Sequence, residues 1–207
     1  MSESTLQALD RLEIEGLITD WARWRDNGDW PALLQTFHPG GVIEVSWFRG
    51  PFTEFVEASR RRAEERVFAK HIMAGSSIQI ARPRAVSETE VLLITDARLD
   101  GPGQRGGELT IVSSLRFLDH VRLGGDGRWR LQQRTAIYDA DWPGGGEPPP
   151  AAELAAFPAP YRLLAWRLAH MGAAPPADLP TRQDDRVRRL RQAARDWLRG
   201  GGEYPAP

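Results

Sequence analysis

Residues 21–30 read WARWRDNGDW, a stretch in which two tryptophans precede an aspartate and a third tryptophan follows it. Upstream, apolar residues recur at steps of three and four from Leu6 to Trp21. This period predicts an amphipathic helix over about residues 5–25, because side chains three and four positions apart lie on one helix face. Asn27 and Gly28 are typical of a helix end.

Asp26 is the first candidate for a functional residue. It continues the helix face formed by Ile18 and Ala22. A carboxylate at the C-terminal end of a helix is disfavoured by the helix dipole, and the flanking Trp21 and Trp24 can remove it from water. A carboxylate kept at such a cost favours a functional role. The alternative interpretation is an ordinary Asp-Asn-Gly turn.

His71 is the second candidate. It shares the predicted inward face of a strand with Met73. A base that removes a proton next to a carbonyl near pH 7 needs a pKa near neutrality, which histidine has. We therefore predict that Asp26 orients His71 in a proton-transfer pair within a deep apolar pocket. The alternative is a buried histidine bonded to a backbone carbonyl.

Further residues are predicted to bind the substrate in this pocket. The apolar candidates, suited to a flat or polycyclic ligand, are Trp21, Trp24, Trp47 and Met73. Arg134 and Tyr138 share one face of the last predicted strand and are candidates for polarising a substrate oxygen. In the alternative interpretation Arg134 simply pairs with Asp139, Asp141 or Glu44.

The composition argues against several classes of function. The 207 residues are 41% hydrophobic and 27% charged with a net charge of -1, so nothing favours binding to nucleic acid or to a membrane surface. Cysteine is absent, which excludes disulfides and thiolate chemistry. The remaining histidines, His38, His120 and His170, are interpreted as loop or surface residues, and we expect neither a metal nor a cofactor. No leader-like or membrane-spanning segment is recognised, so a cytoplasmic protein is expected.

The N-terminal part is predicted to continue with alternating helices and a strand. Trp30 to about Phe37 reads as a short helix, residues 42–48 as a strand, 49–51 as a turn and 52–66 as a helix. In the last of these, the run Arg60–Arg62 is interpreted as a solvated face, because neighbouring glutamates neutralise it.

The pattern then changes to the two-residue period of β-strands. Four strands are predicted over residues 68–81, 88–99, 108–123 and 128–139, with hairpin turns at 101–103 and 124–127. Together with the first strand they predict a curved, meander-like antiparallel sheet. Three helices followed by such a sheet indicate an α+β fold in which the helices close one side of a cone.

The last third of the chain differs in composition. Residues 142–150 are rich in proline and glycine and are predicted to form a linker, and helices are predicted over 161–170 and 184–198. We therefore divide the chain into a domain over residues 1–141 and an extension over 142–207. Because two helices hold little core of their own, we expect the extension to pack on the cone mouth or on a neighbouring subunit.

The chain resembles the SnoaL-like branch of the nuclear-transport-factor-2-like superfamily, which includes scytalone dehydratase and bile-acid dehydratase. The resemblance covers about residues 6–141 and rests on the 21–30 stretch, on Phe37-His38-Pro39 and on residues 70–75, KHIMAG. It implies a cone-shaped fold. In the dehydratases an aspartate at the end of the first helix holds a histidine from the strand after the third helix, and Asp26 and His71 stand at the matching positions. Arg25 and Val45 replace tyrosines that hold a substrate oxygen, so the particular substrate does not carry over.

The resemblance also implies a class of function. It points to a cofactor-independent dehydratase-type lyase of secondary metabolism, acting on a hydrophobic cyclic, polyketide-like or steroid-like substrate and forming a homodimer or higher homo-oligomer through the outer sheet face. An isomerase or cyclase using the same pair, and a noncatalytic small-molecule-binding protein, are the alternatives, because a fold alone fixes no reaction.

Overall fold

The computed structural model describes residues 2–65, 67–98, 107–173 and 178–201. The helices are α1 Glu3–Asn27, α2 Trp30–Leu34, α3 Phe52–Glu64, α4 Ala151–Leu154, α5 Arg162–His170 and α6 Asp185–Leu198. The strands are β1 Phe37–Val45, β2 Phe48–Pro51, β3 Ala69–Ala81, β4 Arg84–Arg98, β5 Glu108–Leu123 and β6 Trp129–Gly145. The predicted α+β fold is confirmed.

The strands form one curved sheet in the order β2-β1-β6-β5-β4-β3. β3 to β6 are the predicted antiparallel meander, but β1 pairs with β6 in parallel. Because β3, β4, β5 and β6 are each antiparallel to the one before, β6 runs opposite to β3 and in the direction of β1. The prediction of a wholly antiparallel sheet is therefore wrong at this one pair.

The end of α1 is where the sequence predicts it. Gly28 adopts a left-handed conformation with φ 74°, and its N–H donates to the carbonyl of Trp24. The N–H of Asp29 donates to the same carbonyl. Glycine has little penalty in this conformation, so α1 ends at Asn27, one residue after Asp26.

Two predicted strand boundaries are wrong, because proline and glycine residues lie within irregularly paired strands. β1 begins at Phe37, and its register against β6 slips between Phe37 and Val42, so residues 39–41 lie inside the strand rather than before it. The predicted strand over 42–48 is consequently two strands with a turn at residues 46–47. β6 likewise continues to Gly145 through shifted pairing with β5, so the first residues of the predicted linker belong to the sheet. The predicted turn at 101–103 lies outside the described residues.

The extension packs against both faces of the sheet. Tyr161, Leu164 and Leu168 belong to the main hydrophobic cluster that fills the space between α1, α3 and the inner sheet face. The helix α6 instead packs on the outer face, where Val187, Ala194 and Trp197 meet the outer-face cluster Val86, Leu118 and Ile137. Between them, Thr181 forms a bridge with Tyr138. The extension thus runs from the cavity side of the sheet to its back.

Candidate active site

Asp26 and His71 meet where the C-terminal end of α1 approaches the start of β3. His71 Nδ1 lies 2.7 Å from Asp26 Oδ1, and the backbone N–H of His71 donates to Asp26 Oδ2 at 2.7 Å. The carboxylate therefore holds both the ring and the main chain of the histidine. The Asp26 side chain is only 3% exposed, so this pair is shielded from competing water.

The ring of His71 is set up as a neutral base. A carboxylate oxygen can only accept a hydrogen bond, so Nδ1 carries the proton and Nε2 keeps its lone pair. Burial lowers the pKa of His71 below its ordinary value, and the hydrogen bond and charge of Asp26 oppose that shift. Trp21 approaches the ring edge-on, with ring centres 5.4 Å apart.

The cavity next to this pair has mainly apolar walls. The non-atom space in it and at its mouth, open solvent included, is about 560 Å³, and His71, Trp21, Trp47 and Tyr138 all line it. The other apolar wall residues are Val45, Phe55, Val67, Ala69, Leu93, Leu115, Phe117, Leu164 and Leu168. Two of these come from α5, so the extension forms part of the cavity.

Tyr138 presents a hydrogen-bond donor to this cavity. Its hydroxyl oxygen accepts the backbone N–H of Ser46 at 2.8 Å, and burial raises its pKa above the ordinary value. The hydroxyl therefore keeps its proton. The oxygen already accepts one bond, so what the hydroxyl still offers is its proton, to the neighbouring Ser46 side chain or to a ligand in its place.

Arg134 lies beneath the cavity rather than in its wall. Its guanidinium pairs with Asp119 through Nε at 2.8 Å and Nη2 at 2.7 Å, and both side chains are 0% exposed. Its charge sits 4.3 Å from the ring centres of both Trp21 and Phe117. Asp119 is none of the three partners considered from the sequence.

A bulge explains this pairing. Val121 pairs with Leu131 while His120 pairs with Gln133, so Gln132 is an extra residue in β6. An extra residue shifts the alternation by one, and Arg134 consequently turns inward although Arg130 pairs with Asp126 on the outside.

Trp24 and Met73 contribute to packing next to the site. Both are half-buried and packed against the main hydrophobic cluster, but neither is part of the cavity wall. Of the predicted binding residues, the structure therefore brings Trp21, Trp47 and Tyr138 to the cavity with His71.

Three arginines in the wall were missed as site residues. Arg25, Arg62 and Arg167 come from α1, α3 and α5 and line the same cavity. The interpretation of Arg60–Arg62 as a solvated run is wrong for Arg62, which stacks over Trp47 at 4.6 Å. The signal was present in the helix period, because buried Phe55 and Ser59 lie seven and three residues before Arg62.

The prediction that His120 is a surface residue is also wrong. It is 3% exposed because α6 covers it, with the ring of Trp197 edge-on at 5.9 Å. Among the described residues no group of three or more histidine, aspartate or glutamate side chains could hold a metal ion. Nor does any helix in those ranges have the length and hydropathy to span a membrane.

Comparisons with known proteins agree with this architecture. The family model described as a SnoaL-like domain matches residues 7–135. A PEP2-like protein of Fusarium vanettenii is 28% identical over 93% of this chain and 87% of its own length. Pea pathogenicity protein 2 of the same fungus is 26% identical over 84% of this chain and 76% of its own length.

Solved structures show the same fold at low sequence identity. A proposed scytalone dehydratase from Novosphingobium aromaticivorans superposes with a TM-score of 0.56 at 13% identity, covering 70% of this chain and 93% of that one. The β subunit of a proposed aromatic-ring-hydroxylating dioxygenase from the same bacterium gives 0.52 at 15% identity, covering 65% and 92%. At these identities the likeness concerns the fold alone.

Proposed function

This chain belongs to the SnoaL-like family, and on that basis we propose that it is a cofactor-independent, dehydratase-type lyase acting on a hydrophobic, oxygenated ring compound. The observation that carries the proposal is the double hold of Asp26 on His71. Oδ1 fixes the ring tautomer and Oδ2 fixes the strand that carries the ring. A merely structural histidine would need neither this double hold nor a place in the wall of a mainly apolar cavity.

The chemistry follows from this arrangement. Nε2 of His71 accepts a proton from the carbon next to a substrate carbonyl, and Asp26 stabilises the imidazolium that forms. The electron pair of that C–H bond forms the new C=C bond while the C–O bond to the hydroxyl breaks. His71 then returns the proton to the departing oxygen, so that water leaves and the histidine is neutral again. The balance needs no oxidant and no second base.

Tyr138 supplies the complementary interaction. As the proton leaves, negative charge develops on the carbonyl oxygen, and a fixed O–H donor in a site with little water stabilises that charge strongly. The walls formed by Trp21, Trp47 and Phe117 suit a flat ring. An isomerase or cyclase would use the same first step, because the enolate can be reprotonated or can attack elsewhere.

The proposal is tested by incubating the protein in D₂O with a panel of cyclic β-hydroxyketones and recording mass spectra. Proton abstraction gives incorporation of deuterium, dehydration gives loss of water, and isomerisation or cyclisation leaves the mass otherwise unchanged. We expect a substrate of this panel to lose water.

Matched variants identify the residues responsible. His71→Gln and Asp26→Asn should each lower turnover by about 100-fold or more, while His38→Gln and Asp20→Asn, which change residues outside the cavity wall, should retain it. Circular dichroism shows that the fold is kept. Exchange and dehydration that persist in His71→Gln would overturn the assignment, and binding without any exchange would favour the noncatalytic alternative.

A further inference from the structure

Three positive charges converge on one cavity. Arg25 is 9% exposed and Arg167 only 4%, and Arg62 is half-buried. They come from three helices that are far apart in sequence, so their meeting is a product of the fold. No described residue of the wall is an aspartate or glutamate.

The described residues neutralise these charges only partly. Arg25 reaches Asp26 at 4.0 Å, which is the limit of an ion pair, and Asp26 is already engaged by His71. Arg167 donates through Nε to the carbonyl of Asp96 at 2.6 Å, which is an uncharged acceptor. Arg62 contacts the face of Trp47 and forms no ion pair with a described carboxylate.

Such a cluster is costly when the cavity is empty. Burial is the largest cause that lowers the pKa of each of the three arginines. The charge of Arg62 lowers the pKa of both Arg25 and Arg167, and that of Arg25 lowers the pKa of Arg167. The carboxylates of Asp26, Glu65 and Asp96 oppose these shifts without outweighing burial. Like charges held together out of water repel strongly, and an anion placed between them would remove this cost.

The same wall also holds an unused hydrogen-bonding group. Thr95, on β4, precedes the residue whose carbonyl binds Arg167, and its hydroxyl is buried without a partner among the described residues. A buried hydroxyl without a partner is unfavourable, and an oxygen of a ligand would satisfy it.

We propose that Arg25, Arg62 and Arg167 bind an anionic group, a carboxylate or a phosphate, carried by the ligand of this cavity. Guanidinium groups suit both anions because their N–H donors match pairs of oxygens. This inference deepens the proposed function, on which it rests for the idea that the ligand is a substrate. Since Arg25 adjoins Asp26, the anionic group lies on the side of the cavity next to the proton-transfer pair.

The test compares probes of one shape and different charge. Isothermal titration calorimetry of the whole chain with 2-naphthoate and with 2-naphthamide measures the contribution of the negative charge, and 2-naphthyl phosphate distinguishes a phosphate site from a carboxylate site. We expect the anionic probe to bind about tenfold tighter or more than the amide, with a preference that weakens as salt is added.

Matched variants show which arginines bind the anionic group. Arg62→Met should remove most of the preference for the anion, and Arg61→Met, which changes the exposed neighbour on α3, should leave it intact. Arg167→Lys keeps a charge but loses the paired donors, and we expect a smaller loss. Equal affinity for naphthoate and naphthamide, no detectable binding of either anion, or an unchanged preference in Arg62→Met would overturn the inference.

The two proposals can fail separately. The deuterium-exchange assay, run with neutral ketones and with ketones that carry a carboxylate, tests His71, whereas the naphthoate preference needs no turnover. Proton exchange without a preference for the anion would support the lyase proposal and overturn the arginine site. Anion preference in a protein that exchanges no proton would leave the site and remove the lyase proposal.

Discussion

At the scale of single residues, the site depends on which hydrogen-bonding capacities are already used. Both carboxylate oxygens of Asp26 accept hydrogen bonds from His71, and the hydroxyl oxygen of Tyr138 accepts one from the backbone N–H of Ser46. What remains is one lone pair on His71 and one proton on Tyr138. A base and a donor left over in this way, in one mainly apolar cavity, are the two groups that an elimination next to a carbonyl requires.

Tyr138→Phe tests the donor. The substitution removes the O–H and leaves the Ser46 N–H without its acceptor, so we expect turnover to fall about 100-fold and stability to fall by about 1–3 kcal/mol. Initial rates and urea unfolding measure the two effects. The control is Tyr161→Phe, because Tyr161 packs against Tyr138 with ring centres 5.3 Å apart without lining the cavity. Full activity in Tyr138→Phe would exclude the donor role.

The pair Arg134–Asp119 supports the cavity from beneath. Arg134→Met leaves a carboxylate buried without its counter-ion, and we expect a loss of about 3–5 kcal/mol in the free energy of unfolding. Arg130→Met breaks the exposed pair with Asp126 and should cost no more than about 1 kcal/mol. Urea unfolding measures both. A double change, Arg134→Met with Asp119→Leu, should recover much of the loss, and equal losses in the two single variants would contradict this account.

Residues differ in how far the sequence could predict them. The contact between Asp26 and His71 was predictable, because each stands on a regular element with a clear phase and the resemblance pointed to both. The place of Arg62 in the cavity wall was missed. The run Arg60–Arg62 was interpreted from its charge and its neighbouring glutamates, and the helix period was not considered. The partner of Arg134 depended on a single extra residue in β6, and a bulge leaves little trace in a pattern of alternating residues.

At the scale of elements, α6 turns a surface histidine into a buried one. Burial lowers the pKa of His120 to about 4, while in the unfolded chain histidine titrates near pH ~6.5. The unfolded chain therefore binds a proton between these pH values and the folded chain does not. Stability must fall as the pH drops through that window, by about 3 kcal/mol in total, and this contribution is absent above it.

His120→Leu tests this prediction. Leucine does not titrate, so the free energy of unfolding of the variant should depend less on pH between about 6.5 and about 4 than that of the wild type. Urea unfolding at several pH values measures the free energy of unfolding of both proteins. In the difference between them the contributions of the other titrating groups cancel. Parallel curves for the two proteins would show that α6 does not hold His120 in its neutral form.

The sequence predicted the elements better than their ends. Periodicity located α1, α3, α6 and the long strands, since each has enough residues for its pattern to be unambiguous. The ends of β1 and β6 were wrong where proline and glycine sit in paired strands. Whether such residues end a strand or bulge within it depends on the neighbouring strand, which local sequence does not describe.

At the scale of the whole molecule, the outer sheet face is divided into two halves. The helix α6 covers one half, where Arg191 also pairs with Glu88. The other half exposes three large apolar side chains, with Ile72 47%, Leu92 38% and Trp142 42% exposed. The cross-strand pairing of Ile72 with Leu92 makes them neighbours. Exposed apolar groups that adjoin in this way are typical of an association surface.

We expect a second copy of this chain to cover that half of the sheet, as the resemblance to homodimeric proteins implies. Leu92→Glu places a charge in the surface and should convert the dimer to a monomer in light scattering at micromolar concentration. Leu12→Glu is the matched control, because Leu12 is 64% exposed but lies on α1, away from the sheet. Since the cavity is lined by residues of the inner sheet face, the monomer should keep the naphthoate preference of the wild type. A wild-type chain that is monomeric, or a Leu92→Glu variant that stays dimeric, would show that this face serves no self-association.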